Sequence, residues 1–384
     1  MVSDKEDIDY QQQISPLLQH ADFLLLHVPD DGSKMKLIKP ATDPYHGKRI
    51  KDWYHEMSVL PHYALSHVWG VSHAEEHLWH DIGHYVDDEH GQPVAPVSMR
   101  PEKRETLLKL LYGMPGSYWW IDVLCARTDT PLDIMGDIYK HCMKCIAMID
   151  CETESLQQIR LLIKEQQDTF QYQYEQYTAD EFRKRTDALD AMTHCQWWKR
   201  VWTWQECVLP KQVSLMAETD TQHALLPIED LFRFFHILKM CAPALSTALE
   251  EWNSRPSTVS FLEIKKARAV AKMQGTLQMP IYASVVLIRT FGISFRQCMD
   301  PVDYVYGVLG VLKLDIPRMT DPQAVWECFL IKLDELLSRT SYAMPKNAPT
   351  ANIQIHPDAY QFNLATARNM ADVYHCLLDI KEIK

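Results

Sequence analysis

The chain has 384 residues, of which 47% are apolar and 23% charged, a globular composition long enough for two domains of roughly 150 residues each. Its 39 basic and 51 acidic side chains leave a net charge of −12, which repels phosphate backbones and argues against a general nucleic-acid binder. Glycine occurs only 12 times, and no Gly-x-Gly, Gly-Lys-Ser/Thr, His-Glu-x-x-His or Gly-x-Ser-x-Gly is present, so the dinucleotide fingerprint, phosphate loop, zinc-protease helix and hydrolase elbow are all missing.

Residues 1–13 are acidic and polar, unlike a secretory signal, and the longest apolar runs fall short of a membrane span. The 10 cysteines are scattered without small-domain spacing, as expected of reduced thiols in a cytoplasmic protein with no membrane segment.

Residues 1–60 read as a lead-in containing an apolar run at 21–28 (ADFLLLHV) with strand character. A second strand is predicted at 63–68 (YALSHV), and the His- and acid-rich stretch 71–99 reads as a solvated excursion. Leu107, Leu108, Leu110 and Leu111 give residues 101–112 one helical face. Strands follow at 118–124 (YWWIDVL) and 145–149 (CIAMI), separated by a helix at 133–143. This alternation predicts a parallel sheet with helices on both faces. Ser155-x-x-Gln158 and Thr178-x-x-Glu181 are capping-box sequences that start helices across 156–195. The tryptophan-rich run 197–206 is read as continuing in a helix that ends before Pro210, with a further strand at 212–216. From about residue 227 the pattern is helical, with helices at 231–240, one capped by Ser260 with Glu263, and 302–312.

Three segments concentrate costly residues. The first ends a strand in Ser66, His67, Trp69 and Gly70, placing polar groups at the carboxyl edge where open α/β sheets bind ligands; a plain strand-to-loop corner is the alternative. The second sets Asp122 within an apolar strand, where an acid must be bonded or used. It could cap a loop, pair with Arg127 or Arg200, or meet a ligand hydroxyl. Cys125, with no base nearby, reads as a small buried residue rather than a nucleophile. The third packs four tryptophans into residues 197–204. On a continuous helix Trp198, Trp202 and Glu206 share one face, and a carboxylate on an aromatic face can sit beside a planar ligand ring. His73, His77, His80 and His84 would form a stripe if helical, and Cys142-x-x-Cys145 is a lone pair; neither spacing amounts to a metal site, and none is expected.

In this order the three segments resemble the fungal heterokaryon-incompatibility (HET) domain. Tyr63–Gly70 resembles its Tyr-x-Ala-Leu-Ser-Tyr-x-Trp-Gly block, with His67 in place of the second tyrosine. Trp120-Ile121-Asp122, Cys125 and Met135-x-x-Ile138-Tyr139 resemble the second block, although Ala126-Arg127-Thr128 departs from its Ile-Asn-Gln. Trp197, Arg200, Trp202, Thr203, Gln205 and Glu206 resemble the third, and residues 300–310 resemble an Asp-Pro-x-Asp element found downstream of such domains.

The resemblance covers about residues 22–216. It implies a lead-in at 1–20, a HET domain at 21–220 and a helical region at 221–384. The implied fold is α/β, a TIR/flavodoxin-like parallel sheet flanked by helices, followed by a mainly helical C-terminal region. The implied function is self/non-self recognition and cell-death signalling. Through the remote relation to TIR domains it also implies cleavage of NAD at the nicotinamide–ribose bond, with Glu206 as the catalytic candidate and Ser66, Trp69, Gly70, Asp122, Arg200 and Trp202 around the substrate. NAD enters as substrate, and no resident cofactor is expected. The alternative is a non-enzymatic module of the same fold that associates with itself or with a sensor protein.

Overall fold

A computed structural model describes residues 16–57, 59–70, 75–127, 130–170, 177–240, 246–273, 280–340 and 351–382. The chain forms two compact units, Met1–Trp197 with Pro210–Cys241, and Trp198–Leu209 with Ala242–Lys384.

The first unit is built on strands β1 (Leu25–His27), β2 (Met35–Ile38), β3 (His62–His67), β4 (Leu78–Trp79), β5 (Val86–Asp87), β6 (Val97–Ser98), β7 (Tyr118–Ile121), β8 (Lys144–Ile149), β9 (Val213–Ala217) and β10 (Leu226–Pro227). Eight of them form one sheet in the order β10-β9-β8-β3-β7-β1-β2-β5. The strands β7, β3, β8 and β9 are parallel, whereas β1 runs antiparallel to β7 and β10 to β9. Strands covered on both faces must be apolar on both, and Cys145, Ile146, Ala147, Met148 and Ile149 of β8 are all buried. Helices Thr153–Phe170 and Ile228–Met240 pack on β9 and on each other. Between β7 and β8, helix Asp133–His141 seats Ile138 and Tyr139 in the core, where the Tyr139 ring meets the Trp120 ring edge-on at 5.3 Å.

Strand β3 lies between β7 and β8. The chain adds β7 on one side of it, then returns to place β8 and β9 on the other. The expected parallel α/β sheet is therefore present, and the reversal makes a switch point at the carboxyl ends of β3 and β8, where such sheets bind ligands.

Several local expectations change. The strand at 118–124 stops at Ile121, and residues Asp122–Cys125 make a helical turn; Asp122 accepts the Val123 N–H at 2.8 Å, so it starts that turn instead of interrupting a strand. The stretch 71–99 is not simply solvated: Trp79, Ile82, Val86 and Met99 are buried, and β5 pairs with β2 at the sheet edge. Thr178 and Glu181 do form a capping box, but Ser155 falls inside a helix that begins at Thr153.

The second unit is mainly helical, with helices Thr203–Val208, Ser246–Asn253, Pro256–Met273, Pro280–Phe291, Asp303–Leu312 and Pro322–Thr340. Ser260 lies inside the helix starting at Pro256 and does not cap it. An antiparallel pair, β11 (Ala351–Ile355) and β12 (Leu378–Glu382), was not anticipated by the helical pattern. Trp252 and Trp326 are among its fully buried side chains.

Candidate functional site

The carboxyl ends of β3 and β7 meet in a closed polar network. His67, the last residue of β3, puts Nε2 at 2.9 Å from Asp122 Oδ1, and the Trp69 indole N–H donates to Asp122 Oδ2. On the other side of the ring the Lys103 ammonium lies 2.8 Å from His67 Nδ1 and also donates to the Val68 carbonyl. An ammonium can only donate, so Nδ1 is the acceptor and Nε2 carries the proton that goes to Asp122. Lys103 and His67 are buried and Asp122 is 8% exposed. Burying a cation and a carboxylate is tolerable because each is bonded through the imidazole between them.

Beside this chain, Arg100 pairs with Glu218, the residue that follows β9. Burial pushes the Glu218 carboxyl up, against the pull of Arg100 and Lys103. Asp150, at the end of β8, accepts the backbone N–H groups of Gln196 and Trp197, each at 2.9 Å. The edge thus alternates acid and base, and most of its charge is spent internally. The Trp69 ring remains 43% exposed and could stack a planar group.

The remaining first-unit residues have packing roles. Ser66 is buried, and its hydroxyl accepts the Trp197 indole N–H at 2.8 Å. A Cβ at Gly70 would lie 2.7 Å from His77 Cβ and 3.0 Å from Ser98 Oγ, so only glycine fits that corner. Cys125 is buried, and burial pushes its thiol up to about 12, which removes it as a nucleophile at neutral pH.

The third tryptophan-rich block does not form one helix. A 3₁₀ turn spans Gln196–Lys199, Arg200 makes a bridge with Gln297, and a helix follows at Thr203–Val208. The expected face through Trp198, Trp202 and Glu206 is therefore broken: Trp198 lies on the earlier turn, while Trp202 and Glu206 stay one turn apart, with the Trp202 carbonyl 3.5 Å from the Glu206 N–H. The break comes from pairing: Val201 N donates to the Gln297 carbonyl at 3.1 Å, and Gln297 N to the Lys199 carbonyl at 2.6 Å.

Arg296 reinforces the break. Its guanidinium donates to the Arg200 carbonyl at 2.9 Å and to Thr203 Oγ1 at 2.6 Å, and its Nε pairs with Glu263 Oε1 at 2.8 Å. Arg200 and Trp202 are half-buried, while Glu206 is 5% exposed in a helix whose six residues are all buried. Ser66, Trp69, Gly70 and Asp122 belong to the first unit, and Arg200, Trp202 and Glu206 to the second.

Two groups escaped the sequence reading. Lys103 falls on the same stripe as Leu107, Leu110 and Leu111 of its helix, and a lysine on an apolar stripe was the available signal. Arg296 carried no periodic signal, and Glu263, read as the capping partner of Ser260, instead pairs with Arg296. Among the described residues no group of three or more His, Cys, Asp or Glu side chains could hold a metal. Of the histidine stripe, His77, His80 and His84 fall on two short 3₁₀ turns with β4 between them, and His73, like Thr128, lies outside the described residues.

No curated protein and no solved structure matches the chain. The family model of the heterokaryon incompatibility protein (HET) matches residues 62–206, from the start of β3 to Glu206. The ordered blocks, the sheet that carries the first two and the family match agree on one stretch: residues 62–206 match the heterokaryon-incompatibility domain.

Proposed function

We propose that the chain acts in self/non-self recognition leading to cell death, and that it does so by hydrolysing NAD at the nicotinamide–ribose bond with Glu206 as the catalytic carboxylate. The bond that breaks joins the ribose to a cationic pyridinium, so nicotinamide departs neutral with the bonding electrons. Water adds to the ribose carbon and loses a proton, giving ADP-ribose. Charge develops on the ribose, and one negative group placed beside it lowers the barrier. The observation carrying this reading is the burial of Glu206, 5% exposed, in a helix whose residues are all buried and one turn from Trp202, since burying a carboxylate is costly and such groups cluster at functional sites. The half-buried Trp202 would offer a face to the nicotinamide. The remote relation to NAD-cleaving TIR domains that the family resemblance implies would point the same way. Concentrated protein incubated with NAD should release nicotinamide and ADP-ribose, separable by chromatography; finding neither product across the concentration range would refute the hydrolase.

A second reading has its own support. The network Lys103–His67–Asp122–Trp69 at the sheet edge satisfies itself, as suits a rigid recognition surface better than a reacting one. A non-enzymatic HET module would associate with itself or with a sensor protein through that edge. Sedimentation of the parent and Trp69→Ala over a wide concentration range tests it: association that is lost in the variant supports the module, and a parent that stays monomeric counts against self-association.

A further inference from the structure

Helix Pro44–Met57 joins β2 to β3 and ends ahead of the stretch that the family model matches. The Asp43 carboxylate accepts the His46 N–H at 2.8 Å and the Asp43 carbonyl accepts the Gly47 N–H at 2.8 Å, which starts the helix. Gly47, Ile50 and Tyr54 turn inward and are buried. The outward face is unusual for a solvated helix. Tyr45 is 68%, Trp53 40% and Met57 59% exposed, and an open groove runs along Tyr45, Lys48, Arg49, Asp52, Trp53 and Glu56. Large apolar side chains exposed singly are ordinary, but clustered on one face they mark a contact surface.

The charges on this face run against the helix's own field. Lys48 and Arg49 lie in its first half, Asp52 and Glu56 in its second, whereas the dipole favours acids at the start and bases at the end. An antiparallel neighbour with the same face removes that conflict. The six groove residues lie symmetrically about the midpoint between Ile50 and Lys51. A two-fold axis through that midpoint brings Arg49 to Asp52 of the second copy, Lys48 to Trp53 and Tyr45 to Glu56, each pair occurring twice. These are an ion pair, a cation on an indole face and a hydroxyl donating to a carboxylate.

We propose that this face is a two-fold interface on which a second copy of the chain docks, helix against antiparallel helix, as an isologous dimer. Part of it is fixed in advance. The Arg49 guanidinium stands over the Tyr118 ring at 5.7 Å, His46 Nδ1 lies 2.8 Å from the Tyr118 hydroxyl, and the Tyr45 ring meets the His46 ring edge-on at 5.0 Å. Groups already held lose less freedom on making a contact. Lys48 and Asp52 pair within the helix while 76% and 55% exposed, and such a pair is worth too little to keep Asp52 from Arg49 of the second copy. Tyr118 opens β7, whose other end leads into Asp122, so the contact lies at the opposite end of that strand from the His67–Asp122–Trp69 network. The proposal rests on neither reading of the function, and it places self-association on a different surface from the sheet edge.

The test is sedimentation of the full chain. One helix face supports a weak contact, so concentrations from about 1 to 200 μM are needed. The parent should pass from monomer to dimer, and added salt should weaken the dimer. Arg49→Asp leaves two acids facing their own kind across the axis, and Asp52→Arg leaves two bases, so each variant alone should bind itself about tenfold or more weakly. Mixed in equal amounts, the two variants face acid to base at both sites and should recover the dimer. Trp53→Ala, which leaves both charges in place, should also weaken it. Asp52 and Trp53 are exposed, so these two variants keep the test open if Arg49→Asp loses stability with its contact to Tyr118. A parent that stays monomeric throughout overturns the proposal. So does a dimer that survives Asp52→Arg and Trp53→Ala but is lost in Trp69→Ala, and so does a mixture no more associated than its parts.

Discussion

The pair Arg296–Glu263 offers the sharpest stability test. Both side chains are 0% exposed, and Nε to Oε1 is 2.8 Å. Arg296→Met removes this ion pair together with the bonds to the Arg200 carbonyl and Thr203 Oγ1. Breaking a buried pair by deleting one partner costs about 3–5 kcal/mol, because the other charge is stranded. Here the cost should depend on pH. Burial already pushes the Glu263 carboxyl up, and Arg296, with a smaller contribution from Ser294, pulls it down. Without Arg296 the folded pKa lies further above the unfolded one, so the variant is least penalised at low pH and loses stability as pH rises. Guanidinium unfolding at about pH 6 and pH 8 should show the larger loss at pH 8. The double variant Glu263→Leu with Arg296→Met leaves neither charge stranded and should recover most of the loss. A single-variant cost below about 1 kcal/mol, or a double-variant cost equal to the sum of the two singles, would refute the reasoning.

The remaining predictions concern the first unit and the close approaches. His62 is fully buried and burial lowers its pKa from 6.5 to about 4; the folded value is depressed, so its contribution is intact above pH 6.5 and is lost as pH falls from 6.5 toward 4, by a total of about 3 kcal/mol. Acid unfolding of the parent should steepen in that window, and His62→Gln should flatten it. Lys103→Met strands neither His67 nor Asp122 completely but removes their counter-cation, and should cost about 1–3 kcal/mol in thermal or denaturant unfolding. Gly70→Ala and Gly307→Ala meet neighbours at 2.7 and 2.5 Å, and each should destabilise by about 1–3 kcal/mol; a neutral result at either would mean that the neighbouring chain gives way.

Much of the frame was legible in the sequence because of what a doubly covered strand must be. Strands β8 and β9 are short, nearly unbroken apolar runs, and they and β3 were placed within a residue or two, as was the capping box at Thr178. Asp122 was misplaced because an apolar run holding one acid looks the same whether it continues as strand or turns into helix after Ile121. The break at residues 200–202 was invisible for a deeper reason. The spacing of Trp198, Trp202 and Glu206 satisfies a helix perfectly well, and what overrides it is pairing with Gln297, almost a hundred positions away in the chain. The network around His67 was half legible: the strand-end Ser-His-x-Trp-Gly and Asp122 stood out, but their cation, Lys103, comes from a helix whose face was read only from its leucines. The pair β11 and β12 escaped because the alternation in Asn352-Ile353-Gln354-Ile355 spans only four residues, too few to outweigh the helical pattern around it.

If Glu206 carries the chemistry and Asp122 is structural, one comparison separates them directly. Nicotinamide release from NAD should be followed over time for the parent, Glu206→Gln and Asp122→Asn at equal folded concentration. The glutamine keeps the size and hydrogen bonding of the glutamate but removes its negative charge, so its rate should fall about 10²–10³-fold, while Asp122→Asn loses stability but keeps its turnover per folded molecule. A parent that releases nicotinamide alongside an equally active Glu206→Gln variant would contradict the account and return Glu206 to the packing of its helix.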